Sequence, residues 1–159
     1  MVFHYASDVG KLSPASTKDL HISRADEILN KQSGWKALTG TTNFGIIAES
    51  DDQQHKLAFD IFVDRVCGLI GSYYVSLGGD VDALVFAGGI GERSAKLRRN
   101  VVQRVSCLGF ALDDGSNGRE VCDVVQDVGS DRAKHRTLVC LTDEQFEMAR
   151  TCAEAEALW

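Results

Sequence analysis

The sequence predicts an α/β fold, and three features carry that prediction. A long amphipathic helix pattern covers 52–77. An apolar, β-rich run over 81–87 is closed by Gly88-Gly89-Ile90-Gly91 and followed by a second helical pattern, and a strand pattern over 137–141 runs straight into a capped helix. Strand, glycine turn and helix make half of a βαβ unit, and strands alternating with helices are the mark of the α/β class.

Taken in order, residues 1–20 show no clear period, and Ser7-Asp8-Val9-Gly10 and Ser13-Pro14-Ala15-Ser16 carry turn chemistry. A helix is predicted from Ser23. That residue serves as N-cap, Asp26 and Glu27 complement the first turn, Ile28 and Leu29 share a face, and Gly34 lies beyond the end. Residues 34–50, rich in Gly and Thr, read as a loop. Over 52–77, Leu57, Ile61, Phe62, Val66, Leu69, Ile70, Tyr73 and Leu77 recur at spacings of three and four, which predicts an amphipathic helix ended by Gly78-Gly79.

The run over 81–87 then reads as a strand buried on both faces. A helix follows over 92–107, with Leu97, Val101, Val102 and Val105 inward and Gly109 as its stop. After a polar turn over 113–118, strands are predicted at 120–125 and 137–141. The last helix covers 143–158, where Thr142 and Gln145 have the spacing of a capping box. No internal repeat or low-complexity tract interrupts the pattern.

Composition narrows the function classes. With 44% hydrophobic residues the chain is not of the disordered type, and its 159 residues suffice for a single domain, 1–159. A formal charge of −6 opposes a polyanionic partner. The one basic cluster, Arg93, Lys96, Arg98 and Arg99, is too small to reverse that, so nucleic acid is not an expected partner. No apolar stretch reaches the length of a bilayer span, and the start lacks the basic and apolar regions of a signal peptide, which places the chain in the cytoplasm. Five cysteines, at 67, 107, 122, 140 and 152, form no CxxC pair and sit beside apolar residues. They read as buried thiols in a reducing compartment.

The two strand-to-helix junctions are where chemistry is expected, because ligands of open α/β sheets sit at the carboxyl ends of strands. Gly88, Gly89 and Gly91 let the backbone approach a flat or anionic ligand, or they simply form a tight turn that packs helix on sheet. The turn fails the Walker pattern. Against the nicotinamide fingerprint it offers only Gly89-x-Gly91, with Ser94 at the last glycine position, so an NAD-binding Rossmann-like module stays open. At the second junction Asp143 and Glu144 either complement the helix dipole or, in the sharper reading, Glu144 supplies a carboxylate to Mg²⁺ carried on nucleotide phosphates. His4, His21, His55 and His135 are scattered, and Lys134-His135-Arg136 reads as a solvated turn.

The stretch from Val81 to Ser94, V-D-A-L-V-F-A-G-G-I-G-E-R-S, resembles the acetate kinase family signature D-A-[LV]-V-F-T-[GA]-G-I-G-E-N-S. Leu29-Asn30-Lys31-Gln32-Ser33-Gly34 resembles that family's L-N-K-x-S-G, and Leu141-Thr142-Asp143-Glu144-Gln145-Phe146 resembles its P-T-N-E-E-L, in the same order. The resemblance implies the C-terminal RNase-H-like domain of the acetate and sugar kinase, heat-shock and actin superfamily, in incomplete form. It implies ATP or ADP with Mg²⁺ as ligands, and acetate or acetyl phosphate as the acyl partner. In that picture Gly88, Gly89, Ile90 and Gly91 form the adenosine turn, Glu92 and Arg93 lie beside the nucleotide, and Glu144 is the metal-side carboxylate.

Departures from the pattern matter too. Arg93 stands where the family has Asn, and it either contacts phosphate or points to solvent. Thr41-Thr42-Asn43-Phe44-Gly45 replaces S-S-D-x-R-D, while Asp143 and Gln145 are near-isosteric changes. The family's members are more than twice as long. Its N-x-G-S-S-S segment, catalytic arginines, aspartate and H-L-G-N-G histidine have no match here, so no catalytic residue is assigned, and a chain lacking its N-terminal domain is expected to be inactive alone. Propionate and butyrate kinases resemble acetate kinases closely, and the residues that would separate them have no match either. A remnant that binds only nucleotide, or a partner such as a second copy of itself through the long or the final helix, is the non-enzymatic reading.

Overall fold

A computed structural model describes residues 11–18 and 20–154. The turn expected at Ser7-Asp8-Val9-Gly10, His4, and the end of the last helix beyond Glu154 lie outside the described residues. Two compact units make up the chain, Met1–Ile61 and Phe62–Trp159.

In the first unit, the predicted turn at Ser13 closes with the Ser16 amide donating to the Ser13 carbonyl at 2.9 Å. Ser23 caps α1 (Arg24–Glu27) in a capping box with Asp26. The helix then widens into a π-turn over Ile28–Gln32, where the Asn30 amide group donates to the Asp26 carbonyl and the Ser33 hydroxyl to that of Leu29. The expected loop over 34–50 is instead two short helices, α2 (Trp35–Thr39) and α3 (Phe44–Glu49). Its Gly and Thr content is the punctuation of those helices. Gly40 ends α2, and Asn43 Oδ1 accepts from the Gly45 and Ile46 amides at 3.0 and 3.4 Å to start α3. Phe44, Ile47 and Ala48, spaced as one helical face, are buried. The Phe44 ring packs against Trp35 and Phe59 with centroids 5.3 and 5.9 Å away.

Helix α4 (Gln53–Ser76) matches the predicted span and is capped by Asp52 Oδ1, which accepts from the Gln54 and His55 amides at 2.8 and 3.2 Å. Part of the expected face is the packed one, since Phe62, Val66 and Ile70 are half-buried. Ala58, Phe59 and Val63 are buried, whereas Leu57, Ile61, Leu69, Tyr73 and Leu77 are exposed. Apolar residues surround much of this helix, so spacing alone selects more than one stripe.

The second unit holds a three-stranded sheet of order β1-β3-β2, with β1 (Ala83–Ala87), β2 (Val125–Asp127) and β3 (Arg136–Cys140). Strand β1 pairs parallel with β3, Ala83 opposite Arg136 and Ala87 opposite Cys140. Strand β2 pairs antiparallel with β3. The strand expected at 120–125 lies further along because β3 dictates its ladder, which continues with the Val128 amide donating to the Thr137 carbonyl at 2.9 Å; Val124 stays exposed. Nor is β1 buried on both faces. Phe86 is buried, while Val85 is 52% exposed, as befits a strand whose other edge has no partner among the described residues.

After β1 the glycines do not break the chain but form α5 (Gly88–Arg93), and Ser94 Oγ accepts from the Leu97 amide at 3.2 Å to start α6 (Ala95–Arg104) as a separate helix. Leu97, Val101, Val102 and Val105 form the expected inner face and pack with Phe86, Phe110, Val128 and Val139 as the core. A 3₁₀ turn (Ser106–Leu108) and α7 (Asp114–Asn117) follow, and α8 (Glu144–Glu154) closes the described chain.

The cysteines correct the expectation of buried thiols. Cys107, Cys122 and Cys152 are exposed and Cys67 and Cys140 half-buried, because the apolar neighbours Val105 and Val139 take the inward positions. Among the described residues no helix is long and apolar enough to cross a membrane.

Candidate functional site

Parallel pairing of β1 with β3 brings both predicted junctions to one end of the sheet. Ala87 and Cys140 are register partners, so the turn that follows β1 and the turn that follows β3 emerge side by side. This is the position at which open α/β sheets bind ligands.

The first turn is shaped by its glycines in three different ways. Gly88 has φ +70°, a left-handed conformation that a side chain resists. Gly91 is buried, and a Cβ there would lie 3.4 Å from the Phe86 backbone, which is how α5 sits close on β1. A Cβ on Gly89 would meet nothing within 4 Å. Gly89 is therefore bare toward open space and imposes no demand of its own on the fold. Ile90 is half-buried and Arg93 exposed.

Glu92 reaches the second junction. Its Oε1 accepts from the Thr142 amide at 2.9 Å and from the Thr142 hydroxyl at 2.8 Å. The Thr142 hydroxyl holds the Glu92 carboxyl below its ordinary value; the Thr142 and Gly88 amides and the Arg93 charge add to this, against a smaller opposing effect of burial. This use of Thr142 corrects the predicted capping box. The N-cap of α8 is Asp143, whose Oδ1 accepts from the Phe146 amide at 2.8 Å, which leaves Thr142 to face Glu92.

Glu144 occupies the first turn of α8 with its side chain exposed. Among the described residues no group of three His, Cys, Asp or Glu side chains is arranged to hold a metal ion, and Asp143 is engaged as a cap. One exposed carboxylate at a helix N-terminus, where the dipole favours anions, is a poor site for a bare cation. It suits Mg²⁺ that arrives with phosphate ligands and keeps its waters.

Beneath the glycine turn lies Arg98, a member of the basic cluster with Arg93, Lys96 and Arg99. Arg98 is only 2% exposed. Its Nη1 donates to the Gly91 and Glu92 carbonyls at 2.8 and 2.7 Å, and its Nε and Nη2 donate to Asn117 Oδ1 and carbonyl at 2.7 and 2.9 Å. Burial lowers the guanidinium's pKa from its ordinary value. Asn117, fully buried, donates onward to the Ala95 carbonyl at 3.0 Å. The signal was available: Arg98 stands on the stripe of Val101 and Val105, at core spacing. Arg99 instead pairs with Asp114 at 2.9 Å, so the basic cluster disperses.

His135 corrects the expectation of a solvated turn. It is buried with its ring between Tyr74 and Phe110, centroids 5.7 and 5.2 Å away, and its Nε2 lies 3.2 Å from the Tyr74 hydroxyl. Lys134 and Arg136 remain exposed on either side.

Comparison with known proteins bears on this geometry. The family model described as the acetokinase family matches residues 12–150. A Neurospora crassa protein described as "Probable acetate kinase" is 59% identical, the match covering all of this chain and 40% of that protein. Another so described, from Emericella nidulans, is 56% identical over 99% of this chain and 39% of its own length. Among solved structures, a propionate kinase from Francisella tularensis has a TM-score of 0.68 and 32% identity over 79% of this chain and 32% of its own. The acetate kinase of Entamoeba histolytica, with a TM-score of 0.74 at 22% identity over 86% of this chain and 38% of its own, shares the fold. The small mixed α/β sheet is thus a partial actin-like ATPase domain, and the chain spans about two fifths of the length of the curated relatives it matches. This chain belongs to the acetokinase family.

Proposed function

We propose that this chain is the nucleotide-binding C-terminal portion of an acetate kinase. The reaction of the whole protein is attack by an acetate oxygen on the γ-phosphorus of ATP, with cleavage of the bond to the β–γ bridging oxygen, giving acetyl phosphate and ADP. Within that reading Gly88, Gly89, Ile90 and Gly91 form the adenosine turn, with Glu92 and Arg93 beside it, and Glu144 faces Mg²⁺. The observation that supports it best is the convergence of the two junctions at the carboxyl ends of paired strands β1 and β3.

Phosphoryl transfer asks the protein for positioning and for neutralisation of charge on the transferring group. A glycine turn on rigid elements meets the first demand for the base, and Mg²⁺ on the phosphates supplies much of the second. The part of the longer relatives that this chain does not match would bring the acyl site and the remaining cationic donors. Each such donor is worth about 3 to 4 kcal/mol of barrier, so the 159-residue chain by itself forms no acetyl phosphate. A homodimer is a further expected assembly, since α4 exposes Leu57, Leu69 and Tyr73.

Equilibrium dialysis of the chain against labelled ADP in the presence of Mg²⁺, with NAD as competitor, tests the nucleotide reading. Saturable ADP binding that NAD does not displace is expected; binding of NAD in place of ADP would replace this reading with a nicotinamide module.

A further inference from the structure

The two junctions are joined by side chains as well as by the strand ladder, and the join has a defined chemistry. One carboxylate oxygen, Glu92 Oε1, takes both hydrogen-bond donors of Thr142 at 2.9 and 2.8 Å. The same residue is held from the other side, where its carbonyl accepts from Arg98 Nη1 at 2.7 Å. Arg98 is buried and anchored twice on Asn117. Glu92 is thus pinned at its backbone by the interior and at its carboxylate by the residue just before the Asp143 cap of α8.

We infer that Glu92 and Thr142 are positioning residues that lock the glycine turn over 88–91 and the first turn of α8 into one rigid unit. The inference rests on the nucleotide reading above and changes one part of it. A carboxylate that spends its oxygen on Thr142 acts on the nucleotide through geometry, by fixing where the turn and Glu144 stand, rather than by direct contact. Strand pairing sets the ends of β1 and β3, yet each following turn has its own backbone freedom. Two charge-assisted hydrogen bonds across the gap remove it before ligand arrives, so binding does not have to supply that ordering.

A double-mutant cycle separates positioning from contact. Calorimetric titration with MgADP is made on the chain and on Glu92→Ala, Thr142→Val and the double variant, with Glu92→Gln as the conservative change that keeps an acceptor oxygen. Glu92→Ala and Thr142→Val are each expected to weaken MgADP by roughly tenfold to a hundredfold, the scale of one hydrogen bond to a charged group. The double variant should be no weaker than Glu92→Ala alone, and Glu92→Gln should recover most of the affinity. Additive losses, or a Thr142→Val variant that binds as the parent does, would overturn the positioning role while leaving nucleotide binding intact. If the parent chain binds no MgADP, the nucleotide reading fails instead. Amide hydrogen exchange then decides the lock by itself: Thr142 should exchange faster in Glu92→Ala while Val139 in the core of β3 keeps its rate, and unchanged Thr142 exchange overturns it.

Discussion

Arg98 and Asn117 meet twice inside the second unit, guanidinium Nε on the side-chain oxygen at 2.7 Å and Nη2 on the main-chain oxygen at 2.9 Å. Among the described residues no carboxylate takes part. The buried charge is satisfied by neutral oxygens, including the Gly91 and Glu92 carbonyls at the end of the glycine turn. Removing one partner strands a buried charged donor. Asn117→Ala is expected to destabilise the chain by about 2 to 4 kcal/mol in urea unfolding, and Arg98→Lys, which loses the planar fork, should fall well short of parental stability.

The glycines of the turn should separate in their effects. Gly88→Ala places a side chain at φ +70° and is expected to lower stability by about 1 to 2 kcal/mol. Gly89→Val points into open space; it should change thermal stability little while abolishing ADP binding. Thermal unfolding alongside an ADP titration checks both.

Asp143 and Glu144 are neighbours with different duties. Asp143→Ala removes the N-cap of α8 and should cost about 1 kcal/mol of stability. Glu144→Ala should leave stability close to the parent and weaken ADP only when Mg²⁺ is present. Nucleotide titrations with Mg²⁺ and with EDTA distinguish the two.

Glu92 also sets a pH dependence. Its folded pKa lies below the unfolded value of about 4.3, so the folded state favours the ionised form. That contribution is complete above about pH 4.3 and fades as the pH falls through the lower folded value. Acid unfolding followed by circular dichroism should show a shallower loss in Glu92→Gln than in the parent over that window.

How far the sequence led is plainest at the junctions. The long helix, both strands of the parallel pair and the two strand-to-helix turns were legible, because glycine punctuation and apolar runs report local backbone preference. The partners across those turns were not. Thr142 looked like a helix cap since its spacing to Gln145 fits one, yet the adjacent Asp143 caps more directly, and only the parallel register puts Glu92 within reach of Thr142. Arg98 was read by charge rather than by its place on an apolar stripe. On α4, Leu69 and Tyr73 share a stripe with buried Phe59 and Val63 yet are exposed, so periodicity finds the stripe but not which of its turns are covered.

In the proposed function, the glycine turn and the first turn of α8 form one nucleotide site. Amide shift mapping of the isotope-labelled chain during a titration with MgADP addresses it most directly. Saturable shifts are expected at Gly88, Gly89, Gly91 and at Thr142 to Glu144 with a single midpoint. Shifts confined to one turn, or none at either up to millimolar nucleotide, would contradict it.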